Sequence, residues 1–418
     1  MSQIISRLDS LIKQRHDDIV DWFALQYKEQ SPFFYSSVDL RHSGHKLAPV
    51  DTNLFPAGWN NISEEGCKRA VAQIKKRFDS MKTPVNNVLI IPENHTRNLA
   101  YLENLAVLQD LVEQSGRQVR IAGLTLEEPL TLTTMSGREI TEYPLQRKYD
   151  ILATKDGFIP DFIILNNDCT SGIPEILQGI KQEIQPHFDI GWHARRKSEH
   201  FRAYEQVAKD FSEDFGFDYR LISAAFHRCG VVNFREQKGI ECVAIGVEKV
   251  LHNVRNQYAE YGIKDDPYVF VKADSGTYGM GIMTVRSGDE LLEINKKTRN
   301  KMNVIKEGTQ NSEVIIQEGI PTIDVVENAI AEPMIYLLAG EPVGGAYRIN
   351  SERDAFSNLN AGGMSFVGMC DERDCPEKSK GKVQIPGCNF CVFGLVASLA
   401  TLAASKEVYH SWDIGFSI

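Results

Sequence analysis

A lysine followed by a glycine-rich loop, with an apolar segment on each side, most constrains how this chain can fold. Residues 268–285 read YVFVKADSGTYGMGIMTV, so an alternating segment leads to Lys272 and a second apolar segment begins at Ile282. Glycines let backbone N–H groups approach phosphate closely, and hydroxyl side chains add donors. A P-loop places its lysine after the glycines, and both it and the dinucleotide-binding fingerprint lead into a helix. The order found here instead predicts a hairpin that covers a nucleotide, with a plain turn as the alternative.

Three later segments add polar residues beside predicted strands. EVIIQEGIPT has the layout of a hinge that binds adenine and ribose, IAEPMIYLLAGEPVGGAYRIN predicts two strands around a turn, and SNLNAGGMSFV follows them. Together with the glycine loop, these segments supply the candidate residues Asp274, Ser275, Gly276, Thr277, Gly279, Gly281, Gln317, Glu318, Gly319, Arg348, Asn358, Asn360, Gly362 and Gly363.

This ordered set resembles the ATP-grasp superfamily, and within it the glutathione synthetase arrangement. The matching elements cover residues 238–363, and the segment DLRHSGHKLAPVDTNLFPAGWNN extends the resemblance over nearly the whole chain to the proteobacterial type of glutamate–cysteine ligase. The resemblance implies an α/β (α+β) fold in which an ATP-grasp domain follows a Rossmann-like α/β domain and an N-terminal helical segment. The expected divisions are residues 1–84 for the helices and a substrate loop, 85–190 for the Rossmann-like domain and 191–418 for the ATP-grasp domain.

The resemblance also implies ATP-dependent formation of γ-glutamylcysteine. ATP would phosphorylate the side-chain carboxylate of glutamate, and the amine of cysteine would then attack the acyl phosphate, so that ADP and phosphate are released. The protein must position the reactants and neutralise developing charge. Lys272 and Lys238, which lies 34 residues earlier, would hold the phosphates of ATP, with Lys249 in reserve for Lys238. The loop over residues 275–281 would close on them, and Glu318 would face the ribose.

Arg348 is the candidate for stabilising the acyl phosphate and the tetrahedral oxyanion, because a planar charged fork suits these groups better than a lysine. Glutamate also carries an α-carboxylate and an α-ammonium, so its pocket needs both cations and acids. The loop over residues 39–61 would supply most of these groups, unless it is a purely structural Ω-loop. The substrate candidates are Arg41, Lys46, Asp51, Thr52, Asn53, Arg97, Arg195, Asn358 and Asn360.

The sequence departs from the ATP-grasp pattern at the magnesium ligands. Members of the superfamily carry a Glu-x-Asn on the strand after the buried helix, and this chain has none there. Mg²⁺ prefers carboxylate and phosphate oxygens. The substitutes ranked first are Glu332 and Asp413, and those ranked lower are Glu341, Asp371 and Glu372.

Four cysteines near the C-terminus have the spacing C-x₄-C-x₁₂-C-x₂-C, which is compatible with structural zinc. They are Cys370, Cys375, Cys388 and Cys391. Thiols in the core or in loops are the preferred interpretation, because Cys391 opens an apolar helix and free cysteine is common in protein cores.

The N-terminal half predicts helices and strands that position further polar residues. The chain begins with a predicted surface helix, which is followed by a polar stretch over residues 31–63 and a helix over 64–82. A β-α-β unit comes next, then a surface hairpin at GREITEYPL, and then a strand that leads through a polar loop into another helix. Ligands of α/β sheets bind beyond the carboxyl ends of parallel strands. Residues 94–98 and 166–170 therefore form a predicted rim, with helix capping as the alternative. A cation cluster over 193–197 opens the next helix.

Composition limits the class of protein and its partners. The 418 residues carry 46 Lys and Arg against 56 Asp and Glu, and a net charge of −10 argues against nucleic acid or anionic membrane as a partner. The N-terminus has no apolar signal region, and eight cysteines are too sparse for a disulfide scaffold, which predicts a cytoplasmic enzyme with reduced thiols. Residues 383–405 contain no charge, but Pro386 and several polar residues favour a buried core helix from Cys391 to Ser405 over a membrane span.

Two other functions remain open at this point. One is a glutathione synthetase or another ATP-grasp carboxylate–amine ligase, and the other is a nucleotide-binding regulatory or scaffold protein. Small molecules are the expected partners, ATP and Mg²⁺ are the expected cofactors, and a homo-oligomer is possible.

Overall fold

The computed structural model describes residues 2–94, 96–230, 232–275, 281–302, 305–306, 309–310, 313–369 and 389–413, of which 301, 305–306, 309–310 and 408–413 are described by backbone alone. The helices are α1 (Gln3–Glu29), α2 (Glu64–Asp79), α3 (Leu99–Gln114), α4 (Lys197–Phe215), α5 (Ile240–Tyr261), α6 (Gly288–Leu292), α7 (Lys296–Met302) and α8 (Phe390–Asp413).

The strands form three larger sheets and one short hairpin. They are β1 (Tyr35–His42), β2 (Leu47–Asn53), β3 (Asn87–Pro92), β4 (Gln118–Gly123), β5 (Leu130–Thr133), β6 (Glu139–Lys148), β7 (Ile151–Thr154), β8 (Phe162–Asn166), β9 (Glu183–Gln185), β10 (Phe226–Cys229), β11 (Val269–Ala273), β12 (Ile282–Val285), β13 (Ile305–Lys306), β14 (Thr309–Gln310), β15 (Val314–Glu318), β16 (Val325–Val326), β17 (Ala329–Leu338), β18 (Glu341–Asn350) and β19 (Ser365–Gly368).

The predicted lysine hairpin belongs to a four-stranded antiparallel sheet in the order β10-β15-β11-β12. Side chains alternate between the two faces of a strand. Val269 and Val271 therefore pack with α5 in one apolar core, while Lys272 lies on the opposite face. Gly246 of α5 allows close contact with this sheet, since an added Cβ would lie 2.5 Å from Ile316 Cδ1. This unit, called the nucleotide lobe below, has the strand–loop–strand geometry that the sequence predicts.

The polar stretch after the first helix forms a hairpin, β1–β2, rather than an Ω-loop, and it joins a six-stranded sheet made mostly by the C-terminal half. The order is β19-β18-β17-β1-β2, with β16 paired to β17. The antiparallel register aligns Glu332 with Arg348, Asp39 with Met334, and Asp39 with Asp51. The substrate loop predicted within residues 1–84 thus shares one sheet with strands of residues 191–418.

The third sheet is mainly parallel. Strand β3 pairs in parallel with β4 and β8, and α3 connects β3 to β4, which confirms the predicted β-α-β unit. The predicted hairpin is also present, as β5–β6, and β6 additionally pairs in parallel with β4. The helix predicted after β8 is wrong. Only a short 3₁₀ turn, Glu175–Leu177, forms there, because Gly172 and Gly179 both adopt left-handed φ and Pro174 precedes the turn.

The apolar C-terminal segment forms the core helix that the sequence predicts. Helix α8 packs against α1, α4 and the strands β1, β2, β17 and β18. Its window Phe390–Glu407 is long and apolar enough to cross a membrane, but 83% of that window is buried inside the protein. Ser36 of β1 and Thr401 of α8 also share a hydrogen bond of 2.9 Å. Because α8 covers one face of the six-stranded sheet, polar residues of the other face remain available for a site.

Candidate active site

A cavity of about 910 Å³ lies where the nucleotide lobe, the six-stranded sheet and the rim of the parallel sheet meet. The alternation of β1 turns Val38 and Leu40 into the core beneath α8 and leaves Asp39 and Arg41 on the cavity side. The predicted site residues that line the cavity are Arg41, Asp51, Asn53, Lys272, Gln317, Glu332, Arg348, Asn358 and Asn360. Residues predicted from widely separated segments are therefore brought together in one enclosed space.

The side of the cavity formed by the nucleotide lobe is largely apolar, and this part is called the slot below. It is lined by Phe270, Ile282, Gln317 and, from the opposite sheet, Met334. Gln317 is buried, and within the described part of the chain its Nε2 has no hydrogen-bond partner. A buried unpaired amide donor is costly unless a ligand satisfies it. The slot therefore suits a planar heteroaromatic ring that accepts a hydrogen bond.

Lys272 also lines the cavity, and its surroundings disfavour its positive charge. Nζ donates to the carbonyl oxygen of Val50 at 2.9 Å. Burial and the nearby cation of Lys197 lower the pKa of Lys272 to about 7, although Asp51 opposes the shift. An anion placed beside Lys272 would restore its positive charge. This is the electrostatic environment expected of a phosphate site that is completed by its ligand.

Asp51 is the most accessible of three acids on the cavity face of the six-stranded sheet. The side chain of Asp51 faces the cavity and is 43% exposed, whereas that of Asp39 is 18% exposed and that of Glu332 is 4% exposed. Burial alone would raise the pKa of Asp51, but Lys197, with which it forms an ion pair, and Lys272 hold that pKa well below its usual range. Asp51 thus presents a carboxylate that stays ionised to the cavity.

Arg348 lies between two acids on neighbouring strands. Its Nη1 donates to Asp39 Oδ2 at 2.8 Å and also bonds Glu332 Oε1, while Arg41 Nε donates to Glu332 Oε2 at 2.9 Å. The two arginines outweigh burial and lower the pKa of Glu332, whereas burial raises the pKa of Asp39 in spite of Arg348. Within the described residues, Arg348 Nε is buried without a partner. The network fixes the guanidinium and leaves one of its donors unsatisfied.

Arg41 has a positioning role in this structure. Beyond its pair with Glu332, its Nη1 donates to the carbonyl of Ala355 at 3.1 Å and its Nη2 to that of Ser357 at 2.6 Å. These bonds hold the loop that leads to Asn358 and Asn360, which face the cavity. The Arg41 guanidinium therefore bonds protein groups. These bonds offer an alternative to the predicted direct contact with substrate, in which Arg41 only positions the loop.

The predicted rim reaches the cavity only in part. Asn98, Asn166 and Asp168 line it, together with Glu93 and Tyr101. Asn98 also caps α3 and Asn166 donates to Tyr35 Oη at 3.0 Å, so capping and internal bonding account for much of their polarity. Arg97 lies instead in a separate, open depression at the start of α3. Its prediction as a substrate residue receives no support from this placement.

Several predicted residues lie behind the cavity wall. Lys46 is buried and donates to Glu318 Oε1 at 2.6 Å and to Glu318 Oε2 at 2.7 Å. Glu318 also accepts from Ala225 N at 2.8 Å. Both carboxylate oxygens are thus engaged by protein groups, and neither Glu318, expected at the ribose, nor Lys46, expected at the substrate, lines the cavity. Gly319 is a packing position, since an added Cβ would lie 2.2 Å from Tyr268.

Arg195 and Thr52 form a second supporting layer. Arg195 donates from Nε to Glu407 Oε1 at 2.7 Å and from Nη1 to the carbonyl of Thr52 at 2.6 Å. His200 Nδ1 lies 3.0 Å from the other oxygen of Glu407. Neither Arg195 nor Thr52 lines the cavity, and the bond between them supports strand β2 beside Asp51 and Asn53.

Lys238, the predicted first nucleotide lysine, lies on the surface. Its side chain is 78% exposed and pairs with Glu236 at 2.8 Å. The reserve residue, Lys249, is exposed on α5. The 34-residue spacing from Lys272 therefore does not bring Lys238 to the cavity in this structure.

Some predicted residues cannot be placed in this way. Gly276, Thr277 and Gly279 lie outside the described residues, as do the side chain of Asp413 and Asp371, Glu372, Cys370, Cys375 and Cys388. Ser275 and Gly281 border the loop without lining the cavity, and Glu341 is exposed at the turn between β17 and β18. Among the described residues, no group of three or more His, Cys, Asp or Glu side chains is arranged to hold a metal.

Sequence reasoning missed Asp39, Phe270 and Arg228 as residues of interest. Asp39 and Arg41 are two positions apart and alternate with the apolar Val38 and Leu40, which is a signal for a functional strand face. Arg228 on β10 has its Nε 3.6 Å from Asp274 at the base of the glycine loop and its Nη2 2.7 Å from Glu313. Arg228 thus contacts the residue at the base of the loop, whereas the side chain of Lys238 pairs with Glu236 at the surface.

Comparisons with known proteins agree with this geometry. The family model for glutamate–cysteine ligase matches residues 9–408. The crystal structure of a candidate gamma-glutamylcysteine synthetase from Methylobacillus flagellatus KT superposes with a TM-score of 0.88 at 39% identity, and the match covers 98% of this chain and 97% of that one. No curated protein sequence matches this chain.

Two further solved structures align much more weakly. A glutathione synthetase-like effector from Globodera pallida has a TM-score of 0.36 at 9% identity, with 87% of this chain and 79% of that chain covered. D-alanyl-alanine synthetase A from Vibrio cholerae has a TM-score of 0.32 at 10% identity, with coverages of 79% and 81%. These two likenesses are too low to support a conclusion about this chain.

The family match spans nearly all of the sequence, and the confirmed α/β architecture carries a cavity fit for a nucleotide and small polar substrates. The family match also decides against the two alternatives, a glutathione synthetase and a scaffold protein. The chain belongs to the glutamate–cysteine ligase family, whose enzymes join glutamate to cysteine at the expense of ATP.

Proposed function

We propose that this cavity phosphorylates the γ-carboxylate of glutamate and then directs the amine of cysteine onto the resulting acyl phosphate. The observation that carries the proposal is the placement of Lys272 and Arg348 in one enclosed space of about 910 Å³, with acids and amides between them. Lys272 belongs to the nucleotide lobe and Arg348 to the facing sheet. A phosphoryl group that passes from ATP to a carboxylate would move between these two cations.

ATP is proposed to bind with its base in the slot between Phe270 and Met334 and its phosphates beside Lys272. Gln317 Nε2 would donate to a ring nitrogen and so satisfy its buried hydrogen. Because the positive charge of Lys272 is disfavoured by burial, the phosphates both stabilise that charge and are stabilised by it. The glycine loop after Asp274 would cover the phosphates, as its sequence predicts.

Arg348 is proposed to stabilise the acyl phosphate and the tetrahedral oxyanion. Asp39 and Glu332 fix its Nη1, so the guanidinium does not need to reorganise when charge develops. Its unpaired Nε is a donor that a substrate oxygen can satisfy. Amino-acid substrates would lie on the adjoining wall, where Asn358 and Asn360 approach from one side and Glu93 and Asp168 from the other. Amides and acids together suit an α-ammonium group and its carboxylate.

Mg²⁺ fits the donor set of the cavity, with Asp51 Oδ2 as the proposed principal ligand, since Lys197 and Thr52 N engage Asp51 Oδ1. Asn53 lies beside it on the cavity, and its side-chain oxygen also accepts from Phe55 N at 2.9 Å. Magnesium usually binds through one or two carboxylates together with substrate phosphates, so a cage of three acids is not required. Glu332, the first choice from sequence, has both oxygens paired with arginines, which makes it the weaker candidate. When bound, the ion would supply charge neutralisation at the transferring phosphoryl group.

The proposal also covers the cellular compartment of the reaction and the partners of the enzyme. We place it in the cytoplasm, with glutamate, cysteine and ATP as partners and without nucleic acid or membrane. Support comes from the net charge of −10 and from free thiols at the described cysteines.

Phosphate release from ATP tests the proposed function. Release that requires glutamate and cysteine together supports it, whereas release that requires γ-glutamylcysteine and glycine contradicts it. Lys272→Ala should abolish turnover, because the substitution removes the buried cation of the phosphate site. Lys238→Ala is the matched control, and its exposed pair with Glu236 predicts nearly unchanged activity. Undiminished turnover in Lys272→Ala would exclude this cavity as the nucleotide site.

A further inference from the structure

Two cysteines of the nucleotide lobe lie side by side. Cys229 is the last residue of β10, Cys242 lies in the first turn of α5, and their Sγ atoms are 3.1 Å apart. Both are free thiols in the structure. Since a disulfide has an S–S distance of about 2.05 Å, the two sulfurs need to approach by only about 1 Å to form one.

The two thiols differ in a way that suits sequential exchange. Cys242 is exposed on the helix surface, whereas Cys229 is buried. Burial and the hydrogen bond to the Cys242 thiol raise the pKa of Cys229 to about 12, which keeps Cys229 protonated while Cys242 is reduced and makes Cys242 the first thiol to react. A reagent from solvent therefore reaches Cys242 first, and Cys229 is held next to the sulfur that it would attack in the second step.

The pair is connected to the proposed ATP site through strand β10. Arg228 directly precedes Cys229, and its guanidinium contacts Asp274 at the base of the glycine loop and Glu313 at the start of β15. Cys229 itself is aligned with Val314 of β15, the strand that carries Gln317. A covalent link from Cys229 to α5 would therefore shift the strand end that positions these groups.

We propose that Cys229 and Cys242 form a reversible redox site at which a low-molecular-weight disulfide oxidises the enzyme and weakens its binding of ATP. The Cys242 thiolate attacks the small disulfide RSSR, forms a mixed disulfide and releases one RS⁻. Cys229 loses its proton and attacks the Cys242 sulfur, which closes the protein disulfide and releases the second RS⁻. The protein loses two electrons and two protons, and RSSR is reduced to two RSH. Only the effect on ATP binding rests on the proposed function.

The test uses the purified full-length chain and oxidised glutathione as the probe. Peptide mass analysis should show a Cys229–Cys242 crosslink with the loss of two hydrogen atoms, and dithiothreitol should reverse it. The KM for ATP should rise about fivefold, equivalent to about 1 kcal/mol of binding, while the KM for glutamate stays unchanged. Mass analysis does not depend on activity, so failure of the crosslink is distinguishable from failure of the proposed function.

Cys242→Ser should fold normally because the residue is exposed, and it should form no crosslink and keep its KM for ATP in oxidised glutathione. Cys67→Ser is the matched control and should respond as the unmodified protein does. A stable mixed disulfide on Cys242 without crosslinking to Cys229 would overturn the proposal, and so would a crosslink that leaves the KM for ATP unchanged. Loss of the response in Cys67→Ser would also contradict it.

Discussion

The lowered pKa of Lys272 predicts that ATP affinity falls as pH rises through neutrality. In the ligand-free protein, burial and Lys197 bring this pKa to about 7, so the charged form is only about half populated at that pH. ATP bound as proposed would favour the charged form and would raise the pKa of Lys272 by its own negative charge. Binding at or above neutral pH must therefore take up a proton.

The size of the effect follows from the fraction of protonated Lys272, because the apparent dissociation constant is the intrinsic one divided by that fraction. With a pKa of about 7, the fraction falls from about one half at pH 7 to about one eleventh at pH 8 and about one hundredth at pH 9. Affinity should therefore decrease about fivefold over the first interval and about tenfold over the second. The last ionisation of a phosphate group, with a pKa near 6, makes the ligand more negative and acts in the opposite direction.

Titration calorimetry with a non-hydrolysable ATP analogue, in two buffers of different ionisation enthalpy, measures affinity and proton uptake together. Lys197→Met should move the fall in affinity to higher pH, because it removes the like charge next to Lys272. Asp51→Asn should move it to lower pH, because it removes an opposing carboxylate. An affinity that stays constant or rises between about pH 7 and pH 9, with no proton uptake, would refute the reasoning.

Two further substitutions distinguish acids with a structural role from acids with a functional one. Lys46→Met should lower the free energy of unfolding by about 3–5 kcal/mol in denaturant titrations, because it leaves the Glu318 carboxylate buried without its cation. A decrease of less than about 1 kcal/mol would contradict the assignment of Glu318 as a structural group. Asp51→Asn should weaken Mg²⁺-dependent nucleotide binding about tenfold or more, which is measured by titrating nucleotide binding against Mg²⁺ concentration. Glu341→Gln, at an exposed position, is the control and should bind as the unmodified protein does. Equal responses of the two variants to Mg²⁺ would exclude Asp51 as the ligand.

Local sequence patterns predicted the nucleotide lobe well. The glycine loop and the alternation of Phe270 and Lys272 against Val269 and Val271 depend on neighbouring residues, so the lysine hairpin could be recognised without knowledge of the rest of the chain. The buried helix α8 was predictable for the same reason, since its apolar content is contiguous. The placement of Lys238 at the surface was not predictable in this way, because chain spacing does not determine the direction in which a surface turn presents its side chain.

The parts that could not be predicted depend on pairs distant in the chain. Lys46 and Glu318 are individually ordinary charged residues, and only the fold brings the amine within 2.6 Å of the carboxylate and removes both from the cavity. Arg195 is likewise drawn away by Glu407 of α8. In each case a residue type suited to substrate binding is used for a buried ion pair, and the sequence contains no local signal that distinguishes the two uses.

The β1–β2 hairpin places acids of the N-terminal part of the chain at the proposed magnesium site. Strand β1 lies directly beside β17, with Asp39 aligned to Met334, and β2 lies beside β1, with Asp39 aligned to Asp51. Acids from the first 53 residues are thereby placed on the same sheet face as Glu332 and Arg348. Asp51 and Asn53, two positions apart on β2, face the cavity together, as an acid and an amide of a Glu-x-Asn strand would. In the proposed site, the N-terminal hairpin therefore supplies a strand that presents a carboxylate and an amide toward the phosphates of ATP.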